Sequence, residues 1–374
     1  MGEFNISREV IRRSTNNVTP ATGVTGVEFK IPTRSNRRLI KAELHLNITI
    51  SAAMVAGTSS FRAEGFVAKA KFEASDNGES KRTIIEAPGS HLLAWHMKHA
   101  GRASAAQQEL FGAGVTGSAQ TLDYILPMHF VHPASRMPMG YLQSIPFQKR
   151  TNGFGLGDDA LFTFDFAAIN SVHMGLNTGT VTVNYYQLVL YWLDLPPVGS
   201  PGRLPDRYAP SELAVVDYDN GAVASTNARL ALPKDGRLTS FVAFTFATPA
   251  TGILGEVLTN GQNAGLYRIL ANKTEFDSFT AVLARHDDEL YQVAYSDFTA
   301  PGVTNNLNAN IWSKNFWHNT PDGDGNNLNS VPNLYTENRG DLLELEIDNW
   351  IASTRVRLLT HKFLVTDPAL LAGA

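Results

Sequence analysis

The chain has 374 residues, of which 43% are hydrophobic and 18% are charged, and its formal net charge is −4. This composition permits a large folded core and argues against general disorder, while the negative charge argues against nonspecific nucleic-acid binding. Because the chain contains no cysteine, disulfides, thiolate catalysis and cysteine-ligated zinc are excluded.

The N-terminal segment is basic, whereas the chain as a whole is acidic. Residues 1–41 contain eight Lys or Arg against three Glu, a net charge of +5. Ile6, Val10 and Ile11 have the spacing of a short amphipathic helix. Three arginines lie among them: Arg8, Arg12 and Arg13. We predict that residues 1–21 form an arm that contacts an anionic membrane or neighbouring subunits and that is not needed for folding.

Most of the chain is predicted to form β-strands. From Ile40 to Ile50 apolar residues alternate with polar ones, which is the period of a strand with one solvated face. Gly, Pro, Asn and Asp separate the apolar runs, as turns require. Further strands are predicted over residues 66–74, 81–87, 122–132, 162–166, 181–194, 238–247, 265–271, 289–297, 343–347 and 354–367.

Two short helices are predicted among the strands. The first begins after Ser90, a residue that can cap a helix N-terminus, and has the sequence HLLAWHMKHAG. The second follows Thr274, with Asp277 as a weak capping box and with Phe276 and Phe279 on one apolar face.

The chain contains an internal repeat. The strand VTVNYYQLVLYWLD ends at Asp194, the strand TRVRLLTHKFLVTD ends at Asp367, and each follows an alternating strand and, further back, a helix. About eight strands and one helix in roughly 150 residues fit a jelly roll better than an immunoglobulin sandwich. We therefore predict an all-β fold of two tandem eight-stranded jelly-roll barrels, each with a short helix.

The predicted domains follow from this repeat. The arm covers residues 1–21, the first jelly roll covers 22–195, and the second covers 213–374. Residues 196–212 form a proline-rich linker, which we expect to be stiff and to act as a spacer between the barrels.

Three segments resemble the major capsid proteins of tectivirus-type tailless phages. The run YYQLVLYWLDLPPVGSPGRLP is similar to the junction between their two barrels, IIEAPGSHLLAWHMKHA to a helix after a hairpin, and SAQTLDYILPMHFVHP to a following strand. The resemblance implies homotrimers whose six upright barrels form a pseudo-hexameric capsomer of an icosahedral shell. It also implies contacts with further capsomers, with penton or minor capsid proteins, and with an internal membrane through the arm.

The predicted function is therefore that of a viral major capsid protein, here of a bacteriophage, with no enzymatic activity and no sequence-specific nucleic-acid binding. Because the N-terminus lacks an apolar signal sequence, we expect synthesis in the host cytoplasm and a final location in the virion. Two alternatives stay open, a carbohydrate-active enzyme such as a glycosidase or deglycosylase, and a two-module lectin. The enzyme would use carboxylates among Asp158, Asp159, Asp287, Asp288 and Glu289.

Five histidines lie on the first predicted helix and the strand after it: His91, His96, His99, His129 and His132. His96 and His99 could reach one metal ion, but histidines of a core or an interface are the favoured interpretation. For Trp312 and Trp317, burial is favoured over an exposed position that could stack on sugars.

Residues 320–327 are most simply interpreted as a solvated loop, and a calcium loop is the one metal site that is kept as an alternative. Asp322, Asp324 and Asn326 have the 1, 3, 5 spacing of such a loop, although Asn327 and Asn333 replace the usual Gly and Glu at positions 6 and 12. No other cofactor is predicted. If these oxygens bind Ca²⁺ between subunits, a chelator will dissociate assembled shells, and the double substitution Asp322→Ala and Asp324→Ala will do the same in buffer containing calcium. Shells that keep their sedimentation rate in chelator would remove calcium from the assembly mechanism.

Overall fold

The structure is a computed structural model, and it describes about half of the chain. The described residues are 5–13, 26–32, 36–50, 63–76, 80–100, 120–133, 143–147, 160–167, 180–197, 200, 211–219, 225–233, 237–247, 257–258, 266–281, 283–284, 311–315, 334–335, 343–350 and 354–363.

The first half of the chain forms nine strands and one α-helix. The strands are β1 (Asn5–Arg13), β2 (Gly26–Ile31), β3 (Arg37–Ile50), β4 (Val67–Asp76), β5 (Ser80–Ala87), β6 (Gln120–His129), β7 (Ile145–Pro146), β8 (Ala160–Phe166) and β9 (Val181–Asp194). Helix α1 (Gly89–Ala100) follows β5, and a 3-10 turn (Ala63–Gly65) precedes β4.

The second half contains ten strands. They are β10 (Ser211–Asp219), β11 (Ser225–Ala231), β12 (Arg237–Ala247), β13 (Val257–Leu258), β14 (Leu266–Ala271), β15 (Thr274–Thr280), β16 (Ile311–Asn315), β17 (Leu334–Tyr335), β18 (Leu343–Trp350) and β19 (Thr354–Phe363). No helix in the described part of the chain is long and apolar enough to cross a bilayer.

The two halves have the same topology. In the first, one sheet has the order β1-β9-β3-β6 and the other the order β2-β8-β4-β5. In the second, β10-β19-β12-β16 and β11-β18-β14-β15 repeat these orders with the equivalent strands of the repeat. Two four-stranded sheets connected in this way form an eight-stranded jelly roll. The predicted fold class, two tandem jelly rolls in an all-β chain, is confirmed.

The alternating pattern of β3 places its apolar residues in the core, as predicted. Every second residue from Ala42 to Ile50 is buried. A register shift between Leu39 and Lys41 turns Leu39 inward in place of Ile40, because an extra residue in one strand moves the following side chains to the other face.

The prediction of a helix directly after Thr274 is wrong. Asn272 and Lys273 both have positive φ, 53° and 66°. Two central residues of this kind form the two-residue turn that suits the twist of a hairpin, so the chain reverses into strand β15 instead. Helical residues begin at Ala281, where the Thr280 hydroxyl accepts a hydrogen bond from the backbone N–H of Leu283 at 3.1 Å. The helix that follows this strand therefore starts about six residues later than predicted.

The first helix lies close to its predicted position. It begins at Gly89, two residues earlier than expected, and the carbonyl of Pro88 accepts hydrogen bonds from the N–H groups of His91 and Leu92. A Cβ at Gly89 would lie 2.7 Å from the hydroxyl of Tyr124 and 2.8 Å from Cβ of Val67. Glycine is therefore required where the helix approaches β4 and β6.

The N-terminal residues form a strand and not an amphipathic helix. β1 pairs with β9 from Asn5 opposite Asp194 to Arg13 opposite Tyr186. Ile11 packs against the core of the first barrel, and Glu9 accepts a hydrogen bond from the indole N–H of Trp192 at 3.0 Å. Residues 5–13 thus complete a sheet of the first barrel, so the prediction that this segment is a separate arm is wrong for them.

We expect a chain that lacks residues 1–13 to be less stable than the full chain. Its free energy of unfolding should fall by about 2 kcal/mol or more, because Ile11 no longer covers the core and β9 loses a neighbouring strand. Urea denaturation followed by tryptophan fluorescence measures the difference. Deletion of residues 1–4 alone is the control and should change nothing. Equal stability of the full chain and the longer deletion would show that β1 does not support the barrel.

Candidate functional site

The feature that distinguishes this chain from a single jelly roll is the junction between its two barrels. Helix α1 contacts the 3-10 turn, β4 and β6 of the first barrel, and β12 and β19 of the second. The core cluster of the first barrel extends across this junction to Val242, Phe244, Phe246 and Leu359. A second cluster fills the interior of the second barrel alone. The junction is thus continuous with a barrel core.

Strand β12 is apolar on both faces, and this allows it to serve both clusters. Phe241 and Ala243 face the interior of the second barrel, whereas Val242 and Phe244 face the first barrel. A strand that is buried on both sides appears in the sequence as a continuous apolar run. The run SFVAFTF is apolar almost throughout. It therefore indicates a strand buried on both faces, whereas the sequence analysis predicted only that this segment is a strand.

At one end of the junction, His91 of α1 stacks on the second barrel. Its ring lies 4.1 Å from that of Phe244, centroid to centroid, at an interplanar angle of 30°. Nδ1 of His91 lies 3.0 Å from the hydroxyl oxygen of Ser90. Arg357 of β19 approaches the same ring, with NH1 3.5 Å from Nε2 of His91.

Arg357 is held in place by an acidic partner on the neighbouring strand. Its Nε and NH2 lie 3.2 and 2.8 Å from one oxygen of Asp217. The guanidinium also lies over the ring of Phe246, 5.4 Å from the centroid. The charge of Arg357 is therefore compensated where the side chain enters the junction, as a nearly buried cation requires.

At the centre of the junction, Trp95 of α1 is surrounded by histidine rings. Its exposed fraction is 1%. Four imidazoles have their centroids 4.7, 5.4, 5.7 and 5.8 Å from its ring: His99, His132, His361 and His129, respectively. His361 belongs to the second barrel, and the others belong to the first. Aromatic contacts of this kind fix the position of the helix against both sheets.

The backbone also joins the two barrels. Strand β5 of the first barrel pairs in parallel with β10 of the second, with Leu213 opposite Ile85 and Ala214 opposite Glu86. The Ser211 hydroxyl donates a hydrogen bond to the carbonyl of Phe130 at 3.1 Å. One continuous sheet of ten strands therefore passes from barrel to barrel.

A cluster of charged and polar side chains lies on β3 and β9, beside the histidines. Glu43 accepts hydrogen bonds from Lys41 at 2.7 Å and from Tyr191 at 2.8 Å, and it lies 3.0 Å from Nε2 of His45. Burial opposes its ionisation, but these bonds outweigh burial and hold the pKa of Glu43 well below its ordinary value. Burial and the same carboxylate raise the pKa of Tyr191 to about 12.

The predicted histidines lie in the core and at the junction, as favoured from the sequence. Nδ1 of His96 lies 2.8 Å from Nε2 of His129, and the ring of His99 lies 4.9 Å from that of His132. His96 and His99 are thus each paired with a different strand residue. Among the described residues there is no group of three or more side chains that could hold a metal ion.

Most of the other predicted site residues lie outside the part of the chain that the structure describes. The calcium candidates Asp322, Asp324 and Asn326 lie outside it, and so does Trp317. The five candidate carboxylates of an enzyme also lie outside it: Asp158, Asp159, Asp287, Asp288 and Glu289. Trp312 is fully buried, as predicted, with its ring 4.6 Å from that of Tyr267.

The three arginines predicted to contact a membrane or a neighbour are residues of strand β1. Arg8 is exposed on the outer face of that strand, between Ile6 and Val10. Arg12 and Arg13 belong to the same strand, and their side chains lie outside the described ones. Their proposed role as cations of an amphipathic helix is no longer supported, because the segment is extended.

The junction should weaken in acid because it buries neutral histidines. Burial lowers the pKa of His96 from 6.5 to about 4, with a further contribution from Lys41 that Glu43 partly offsets. Burial alone lowers the pKa of His361 to about 3. Burial, together with His96 and Lys41, lowers the pKa of His129 well below its ordinary value.

We therefore expect the free energy of unfolding to fall as the pH is lowered from about 6.5 towards 4. In this window the unfolded chain binds protons that the folded chain excludes, and each unit of pKa difference corresponds to about 1.4 kcal/mol. Urea denaturation at a series of pH values measures the slope. The variant His96→Gln should reduce the slope. A slope unchanged by the substitution would show that His96 does not contribute to it.

No family model matches this chain, and no curated protein matches it. Solved structures do match it. It is similar to the STIV MCP, with a TM-score of 0.65 and 12% identity over 99% of this chain and 100% of that chain. A chain from the atomic structure of Sulfolobus Turreted Icosahedral Virus matches with a TM-score of 0.62 and 12% identity, over 99% of this chain and 94% of that one.

The Faustovirus major capsid protein is also similar, with a TM-score of 0.52 and 10% identity over 98% of this chain and 91% of that chain. These neighbours are double jelly-roll major capsid proteins, and the matches extend over both barrels. At such low identity, the shared feature is the arrangement of the strands. The chain therefore has the double jelly-roll fold of viral major capsid proteins.

Proposed function

We propose that this chain is the major capsid protein of an icosahedral virus. The observation that carries the proposal is that two barrels of identical topology are locked side by side through α1 and the β5–β10 pair. A rigid pair of this kind is a building block for a shell, and the similar solved structures are major capsid proteins.

The proposed assembly is a homotrimer with upright barrels. Three chains contribute six barrels, so a threefold axis relates the chains while the outline approximates sixfold symmetry. Such a pseudo-hexameric capsomer packs against further copies of itself. Closed symmetry of this kind requires contacts between unlike surfaces of neighbouring chains. In this assembly the sides of the barrels form the contacts between subunits, and the proposed role of the chain is structural and not catalytic.

The other proposed partners occupy the remainder of the shell. Penton or minor capsid proteins would fill positions that a sixfold outline cannot fill. The proposed contact with an internal membrane now depends on the net charge of +5 of residues 1–41 and not on an amphipathic helix. The proposed location is the virion after synthesis in the host cytoplasm, and calcium at residues 322–326 remains a separate proposal.

The purified chain should be a trimer, and producing cells should contain shells. Size-exclusion chromatography with light scattering should give three times the mass of one chain, and electron micrographs should show icosahedral particles. A glycan array and a glycosidase assay test the rival functions on the same sample. A monomer that binds or cleaves glycans would contradict the capsid proposal and favour a lectin or a carbohydrate-active enzyme.

A further inference from the structure

Exposed large apolar side chains occur at two places in the described part of the chain. Ile6 and Val10 lie on β1 and are 59% and 43% exposed. Phe276 lies on β15 and Leu283 follows that strand, and they are 52% and 46% exposed. Both strands are at the edge of a sheet, and among the described residues each pairs on one side only. Edge strands with apolar side chains favour pairing with another chain.

The contact between the two barrels of one chain shows how such edges are used. Strand β5, the last strand before helix α1, pairs in parallel with β10, the first strand of the second barrel. In the repeated topology, β15 is the counterpart of β5, because a helix also follows it. By the same topology, β1 is the counterpart of β10. Among the described residues, the chain therefore pairs one set of equivalent edges and leaves the other set, β15 and β1, each with a neighbour on one side only.

We infer that β15 of one copy pairs in parallel with β1 of the next copy in the assembly. The inference rests on the proposed trimer and specifies its interface. Each barrel would then meet the following one through the same kind of strand pair, alternately within a chain and between chains. Repetition of this contact by a threefold rotation closes a ring of six barrels, as heterologous interfaces do when the rotation closes.

The register of the pair within the chain predicts the register between chains. Ile11 faces the core of the first barrel opposite Leu188, and Val216 faces that of the second opposite Leu358, so β1 and β10 correspond with an offset of 205 positions. Leu213 therefore corresponds to Arg8, and Val215 corresponds to Val10. Helices begin at Gly89 and Ala281, an offset of 192 positions.

With the second offset, Ile85 corresponds to Asp277 and Glu86 corresponds to Ser278. The observed pairs of Leu213 with Ile85 and of Ala214 with Glu86 thus become pairs of Arg8 with Asp277 and of Glu9 with Ser278 between chains. Val215, the counterpart of Val10, packs against the core of the first barrel, so the same register places the exposed Val10 against the next copy.

The charges on the two strands are also complementary. Arg8 is exposed on β1, and its neighbours on that face are apolar. On β15, the side chain of Glu275 is 49% exposed, although it also lies 3.6 Å from Arg268. An arginine on one edge and a glutamate on the other favour the pairing of unlike edges over the pairing of β1 with a second β1.

A disulfide test can detect this pair because the chain has no cysteine of its own. In the double variant Glu9→Cys with Ser278→Cys, adjacent strands bring the two Cα atoms within the range that a disulfide spans. Mild oxidation should give covalent dimers and trimers on nonreducing gels, and each single variant should give only monomers. The matched control, Ala214→Cys with Glu86→Cys, should close within the chain and remain a covalent monomer.

A second variant tests the apolar contact without cysteine chemistry. Val10→Asp replaces an exposed residue, so the barrel should fold normally by circular dichroism, but the Kd of the trimer should rise by on the order of tenfold or more. Thr121→Asp makes a similar change on β6, the opposite edge of the same sheet. It should leave the mass on light scattering unchanged.

The outcomes separate this inference from the proposed function. Disulfide-linked trimers together with dissociation by Val10→Asp support it. Trimers on light scattering that form no disulfide between chains, although the control pair closes, overturn the inference and leave the capsid proposal intact. A folded chain that remains a monomer at every concentration overturns both.

Discussion

Helix α1 carries apolar and aromatic side chains around most of its circumference, and both barrels bury them. Leu92, Leu93 and Trp95 are each at most 1% exposed. A helix that is apolar on all sides needs cover on all sides, and one jelly roll covers only part of it. The second barrel supplies the rest through β12 and β19. The side-by-side arrangement of the barrels, and hence the shape of the proposed capsomer, depends on this shared burial.

The same requirement explains why the sheet of the second barrel is apolar on both faces. Phe244 meets His91 across the junction, whereas Phe241 contacts Trp312 inside the barrel, with ring centroids 5.8 Å apart. Loss of either contact would expose apolar surface to water. The polar groups that enter the junction are compensated there, since Arg357 bonds to Asp217. Closely packed rings and paired charges leave little freedom for one barrel to rotate against the other.

Repetition of one topology gives the chain two sets of equivalent sheet edges. An unpaired edge is a hazard for most proteins because it invites association with other chains. In this chain one such edge is paired internally, β5 with β10, and an assembly protein can use the remaining edges as its contacts. The difference between a soluble two-domain protein and a shell subunit would then lie in a few side chains on β1 and β15, and the barrels could otherwise diverge in sequence.

The amino-acid sequence by itself determined the class of fold, because burial of one strand face imposes a period of two that can be read from Ala42 to Ile50. It also determined the first helix and the repeat of the two closing strands. Ile6 and Val10 have a spacing that suits a helix, and only the tertiary structure placed them in a strand. They form a strand because the edge of β9 is available for pairing. The segment after Thr274 forms a strand because Asn272 and Lys273 adopt positive φ and reverse the chain. Asparagine and lysine adopt positive φ less often than glycine does, so the sequence did not indicate this turn. The contacts of the junction could not be predicted from the sequence either. Arg357 and His91 are 266 positions apart, and no local sequence pattern relates them.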